Sequence, residues 1–221
     1  MKLNEYQADP NHNETILNDL RLLLKQPDYK DLRPCDGCTR PCPCSASATC
    51  TCACAPNCEH APVEMSSEAD RYPIESHIAT MVFGFNTLRV CPPYWSCEGH
   101  TFAGGEIRRV PQVWFYARSL IYPKLVGEYV LKLKTQGLLE YPWQIVMTHT
   151  DNVLETGFSI EPETRSIAHP DIAVMRKDAN TIAANLQSGL KAIATRYIEE
   201  HTRKEARARL DALEKSAKYQ N

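Results

Sequence analysis

The sequence predicts an α+β fold: a small antiparallel or mixed sheet with helices on one face, a cysteine-rich metal-cluster segment inserted near the N-terminus, and a long C-terminal helix. Three observations predict it. From residue 72 to residue 163 the apolar spacing runs in the order helix, strand pair, helix, strand pair, the pattern of a layered α+β unit. Eight of the ten cysteines fall between Cys35 and Cys58, in a stretch without a large apolar residue. From Met175 to Tyr197 an apolar stripe recurs at helical spacing.

The elements follow in chain order. In "NHNETILNDLRLLLKQ", Ile16, Leu17, Leu20, Leu23 and Leu24 lie on one helical face, Asn11 and Glu14 have capping-box spacing, and Pro27 ends the helix. In "YPIESHIATMVFGFNTLRV", Ile74, Ile78, Met81, Val82 and Phe85 make the face of a buried helix. "YWSC" and "VPQVWFYARS" read as strands, with "GHTFAGGEIRR" as the turn between them. "YPKLVGEYVLKLKTQGLL" returns to helical spacing through Leu125, Tyr129, Leu131 and Leu133, and Gly137 stops it. "PWQIVMTHT" and "ETGFSIEPE" are two further strands, joined by "DNVLE" in a hairpin. From His169 onward the chain is mostly helix, with Met175, Ile182, Leu186, Leu190, Ile193 and Tyr197 facing the sheet. It fades after Glu199 into a charged end where Leu210 and Leu213 hint at a partner helix. The expected units are an N-terminal helix and linker over 1–33, a metal-binding segment over 34–62, an α+β domain over 63–199 and a charged helical tail over 200–221.

Composition bounds the function. With 43% hydrophobic and 24% charged residues in 221, the chain can bury a sizeable core. A net charge of −2 weakens a nucleic-acid or anionic-membrane reading. No stretch approaches the roughly 20 apolar residues that span a bilayer, and the first fifteen residues have no signal-peptide run, so the expected location is the cytoplasm. In that reducing compartment clustered cysteines are metal ligands or redox groups more often than disulfides.

The cluster reads C-x2-C-x3-C-x-C-x5-C-x-C-x-C-x3-C, from Cys35, Cys38, Cys42 and Cys44 to Cys50, Cys52, Cys54 and Cys58, with His60 following. Several ligands stand two residues apart, too close for independent mononuclear sites. Tetrahedral zinc takes four ligands, so nine side chains serve three ions if three thiolates bridge, while eight serve two separate ions. Two to three zinc ions are therefore expected, with an iron–sulfur cluster, copper(I), or a disulfide or redox-sensing dithiol region as competing readings. Between Pro34 and Pro62 there is no leucine, isoleucine, phenylalanine or tryptophan, so metal must supply the ordering free energy. The C-x-C and C-x-C-x-C runs resemble metallothioneins, and "CTCACAPNC" resembles the triple-zinc pre-SET module beside histone lysine methyltransferases. Both resemblances imply thiolate-bridged zinc; nothing downstream reads as a SET domain.

A second candidate site lies at "CPPYWSCEGHTFAGG". Cys91, Cys97 and His100 are metal-binding types, and Cys97, Glu98 and His100 would put a nucleophile, a carboxylate and a base at a strand end. Arg108 and Arg109 follow as candidate anion or cofactor binders. The competing account makes Cys97 a small buried hydrophobe. "FNTLRVCPPYWSCEGH" with the strand "VWFYAR" is similar to the asparagine-then-SSCSGR pattern of the tRNA wybutosine-synthesis methyltransferase family. Asn86, Ser96, Cys97 and Gly99 match it over about 30 residues. His100 stands where that family has arginine, and the cysteine-rich insert has no counterpart there. This resemblance implies a related α+β architecture and S-adenosylmethionine as a candidate ligand. The glycine-rich loop usual for such cofactors is not visible. His149 and Asp151 form a further candidate catalytic pair at a strand end, with a turn cap as the plainer account. His77 reads as a core or boundary histidine.

Two functions compete. One is a zinc-binding protein with a multinuclear thiolate cluster on an α+β domain, in a structural, storage or sensing role. The other is an enzyme acting on a small molecule or a modified RNA through Cys97 and His100, with the cluster as a brace. The expected partners are metal ions and a small-molecule ligand, with no membrane.

Overall fold

The computed structural model describes residues 10–28, 70–71, 73–148, 156–165 and 167–218. The cysteine-rich segment over 34–62, with Cys35 to Cys58 and His60, lies outside them, as do His149 and Asp151.

Five helices and six strands make up the described chain, and the fold is α+β with a long C-terminal helix. Helix α1 is Pro10–Leu24, α2 Ser76–Leu88, α3 Ile121–Thr135, α4 Ile172–Ala184 and α5 Leu186–Lys218. Strands β1 Pro93–Cys97, β4 Gln112–Ala117, β6 Thr156–Pro162 and β5 Trp143–Thr148 form one antiparallel sheet in that spatial order. Strands β2 His100–Thr101 and β3 Ile107–Arg109 form a separate two-stranded ribbon, where the sequence reading expected only a turn. Such short strands are too brief to show an alternating pattern in sequence.

Register decides which side chains meet. Val113 pairs with Ile160 and Phe115 with Phe158, so these residues share one face, all buried. Helices α2 and α3 cover that face, and Phe115 packs against Phe85 and Phe158 with ring centroids 4.7 and 5.8 Å apart. Cys97 pairs with Gln112, and Trp114 with Ser159, so Cys97, Gln112, Trp114, Ser159 and Glu161 belong to the opposite face.

Helix α1 starts at Pro10, whose missing N–H is not needed in a first turn. Asn11 therefore lies inside the helix, where its carbonyl accepts from the Thr15 hydroxyl at 2.9 Å, and Glu14 pairs with Arg21 at 3.1 Å. The expected capping box is not the helix boundary. Leu17, Leu20 and Leu23 bury one side of α1. Helix α2 is buried nearly all round, with Ile78, Met81 and Phe85 at 0% exposure. In α3, Leu125, Tyr129 and Leu133 are buried as the spacing requires, but Leu131 is 61% exposed because two residues on is the opposite helix face. The C-terminal stripe holds from Met175 to Ile193, yet Asn185 breaks it into α4 and α5. Helix α5 continues without interruption past residue 199, and its surface is exposed from Thr202 to Asp211. No described helix is long and apolar enough to cross a membrane.

Helices α3 and α5 approach closely at Gly189, where an added Cβ would stand 2.3 Å from the Tyr129 ring. That contact buries Tyr129, whose hydroxyl donates to the Ile182 carbonyl at 3.1 Å. Tyr122 is wholly buried and donates to the Asp19 carbonyl at 3.1 Å. Burial pushes both phenols up to about 12, with the Asp19 charge adding at Tyr122. The buried thiol of Cys91 is raised in the same sense. A phenol held neutral in the fold gives stability that is complete below its unfolded pKa of about 10 and lost as pH rises through 12. Each of the two rings is worth on the order of 2 kcal/mol. Urea denaturation midpoints should be flat between pH 8 and 9.5 and fall steeply from about 10 to 12; a flat profile through pH 12 would contradict these burials.

Candidate metal centre

The site forms where the N-terminus of α2 meets the turn after β1. Glu75 stands at the N-cap of α2 with extended backbone, the place where serine or aspartate usually satisfies the first free N–H groups. Its carboxylate makes no such cap. Instead Oε2 accepts from the backbone N–H of Glu98 at 2.7 Å, while Oε1 lies 2.8 Å from Nε2 of His100. Glu98 returns the favour, its Oε2 accepting from the N–H of His77 at 3.0 Å and so capping α2 from the neighbouring turn. Two carboxylates thus exchange partners across the junction.

Arg176 of α4 fixes that turn from outside. Its guanidinium donates to the Glu98 carbonyl at 3.0 Å, to Glu98 Oε1 at 3.0 Å and to the Gly99 carbonyl at 2.9 Å. Gly99 has φ +85°, and an added Cβ would meet Pro111 Cδ at 2.8 Å and Ile172 Cδ1 at 2.9 Å. The chain therefore reverses between Cys97 and His100 in a space that only glycine fits.

Three potential ligands converge there. The carboxylate of Glu75, the thiol of Cys97 and the imidazole of His100 each offer a ligand atom, all within 4.8 Å of one another. Cys97 is 3% exposed, while the Glu75 and His100 side chains are 33% and 46% exposed. Around a tetrahedral ion with bonds of about 2.0 to 2.3 Å, ligand atoms sit roughly 3.3 to 3.6 Å apart. One sulfur, one nitrogen and one oxygen are donor types that a divalent transition-metal ion accepts.

The surroundings of Cys97 favour its neutral thiol. Burial is the largest influence on the Cys97 thiol and pushes it up; the Gly99 N–H, 3.4 Å from Sγ, opposes this, Glu75 reinforces it and Arg109 opposes it. A free nucleophile needs the reverse direction. A bound cation supplies it, because a coordinating thiol is deprotonated outright.

No family model, curated protein or solved structure matches this chain.

Of the sequence candidates, Cys97 and His100 come together, and Glu98 lies beside them with both oxygens taken up by His77 and Arg176. Arg109 pairs with His100 in the ribbon and its guanidinium lies 5.1 Å from the Trp95 ring centroid. Arg108 lines a groove on the same side of the ribbon. Cys91 is wholly buried in the main core, away from the cluster of ligands. His77 is exposed at the start of α2 and not in the core. His149 and Asp151 lie outside the described residues. Two residues were missed. Glu75 is 22 positions before Cys97 and Arg176 is 79 after it, and neither stands in a motif. The one available signal was a glutamate at an N-cap, a position where it is a poor capping residue.

Proposed function

We propose that the protein binds zinc at two places: a mononuclear centre on the folded domain, held by Glu75, Cys97 and His100, and a multinuclear thiolate cluster formed by Cys35, Cys38, Cys42, Cys44, Cys50, Cys52, Cys54 and Cys58 with His60. The convergence of three ligand atoms within 4.8 Å carries the first. The nine-ligand spacing of the sequence carries the second. The role is structural at the cluster, whose segment lacks apolar residues, and ligand-accepting at the folded centre, which keeps a coordination position open.

A second reading, an enzyme working through Cys97 and His100 on a small molecule or a modified RNA, is favoured by that open position. Zinc sites with three protein ligands and a water are the usual catalytic kind. In that reading Cys97 is a ligand rather than the attacking thiolate.

Metal analysis separates the two sites. In a variant with the eight cysteines of the cluster changed to serine, about one zinc per chain should remain after gel filtration, and adding Cys97→Ala should remove it. Retention of that zinc in the Cys97→Ala background would place it elsewhere.

A further inference from the structure

A groove lies on the face of the sheet that carries Gln112 and Glu161. It runs between β3, the start of β4, Thr164 and residues 168–170, with a volume of roughly 850 Å³, within the range of small-molecule sites. Its floor is built by two polar side chains on neighbouring strands, Gln112 of β4 and Glu161 of β6. The Gln112 side chain sits on a nearly closed surface, at 9% exposure.

The orientation of both floor groups is fixed. The Trp114 indole is a donor only, and its Nε1 lies 2.8 Å from Gln112 Oε1, so the amide nitrogen of Gln112 is left as the outward group. Among the described residues that nitrogen has no acceptor. Glu161 is held by the buried Ser159 hydroxyl, donating to Oε2 at 2.9 Å, and by Gln144 Nε2 at 3.5 Å from Oε1. Each carboxylate oxygen keeps a lone pair. The groove therefore offers a fixed N–H donor beside a fixed double acceptor. Its wall carries Arg108 and Arg109, and among the described residues Arg108 has no carboxylate partner.

We propose that this groove binds a purine mononucleotide whose base edge has two adjacent N–H donors next to a carbonyl, as guanine has. Glu161 accepts the two N–H groups, Gln112 donates to the carbonyl, and Arg108 with Arg109 takes the phosphate. A carboxylate repels the ring nitrogen lone pair that adenine presents at the same place, so the site discriminates by an unmade bond as well as a made one. Aromatic contacts supply a reporter: Trp114 is bonded to Gln112 and packs on Trp95 at 4.8 Å. The groove and the metal centre share Arg109, which also acts on the Cys97 thiol, while Gln112, Glu161 and Arg108 belong to the groove alone.

The test is titration of the intact protein with guanosine, inosine and adenosine monophosphates, followed by tryptophan fluorescence and calorimetry. Guanosine monophosphate should bind with Kd below about 1 mM. The inosine form, without the exocyclic amine, should bind about tenfold more weakly and the adenosine form at least a hundredfold more weakly. Glu161→Gln keeps the shape and should lose at least tenfold for the guanine ligand with an unchanged thermal midpoint. Arg108→Ala should weaken the nucleotide but not the unphosphorylated nucleoside. Equal affinity for the three nucleotides, no binding at about 1 mM, or a Glu161→Gln variant that binds like the parent would each overturn the proposal.

Discussion

Asp178→Ala is expected to destabilise the protein by about 4 kcal/mol and to lower its melting midpoint by roughly 8 to 16 °C. Asp178 is 2% exposed, on α4, yet its carboxylate serves the turn between α3 and β5. It accepts from the N–H of Glu140 at 3.1 Å, the N–H of Tyr141 at 2.8 Å and the Trp143 indole at 3.4 Å. The alanine variant leaves these donors facing a void, and leaving buried donors unpaired costs about 1 to 3 kcal/mol each before relaxation. A fourth bond ties the same region, since the N–H of Asp171 donates to the Tyr141 hydroxyl at 2.7 Å. Asp178→Asn keeps one acceptor oxygen and should fall between the two. Calorimetry checks the series; a midpoint within 2 °C of the parent for the alanine variant would show that the turn does not depend on this carboxylate.

Gly99→Ala is expected to cost about 3 kcal/mol and to abolish zinc binding at the folded centre. The backbone at φ +85° is strained for any residue with a Cβ, and the added methyl would stand 2.9 Å from the Pro111 backbone nitrogen and 2.9 Å from Ile172 Cδ1. Pro111 cannot yield easily, because it directly precedes β4. Relief comes by displacing the turn, and with it the alignment of Cys97 and His100 on either side. The measurement is paired, a urea midpoint for stability and zinc content for the centre. Alanine at this position with both values unchanged would mean that the tight turn is not what holds the ligands.

Much of the fold was legible because its signals are local. The apolar faces of α1 and α2, the β-branched and aromatic run of β4 and the stripe from Met175 to Ile193 each announce themselves within a few turns or one strand. What was not legible depends on partners distant in sequence. Leu131 reads with Leu125, Tyr129 and Leu133 as helical spacing, yet its position two residues from Tyr129 puts it on the opposite, exposed helix face. The ribbon of β2 and β3 is too short to show a period. At the site, Cys97 and His100 were readable as chemically capable residues three positions apart. Glu75 and Arg176 reach them only through packing of α2 and α4 against the turn, and no spacing in the sequence encodes that. Nor could the sequence give Glu98 its partners: it read as a catalytic carboxylate, and the fold engages both of its oxygens, one to cap a helix and one to anchor Arg176.

Zinc K-edge absorption on the variant with the eight cluster cysteines changed to serine, loaded with about one equivalent of zinc, tests the folded centre through its ligands. The predicted first shell is one sulfur at about 2.3 Å with two or three nitrogen or oxygen neighbours at about 2.0 to 2.1 Å. A shell of nitrogen and oxygen alone would remove Cys97 from the metal and contradict the assignment, as would two or more sulfurs.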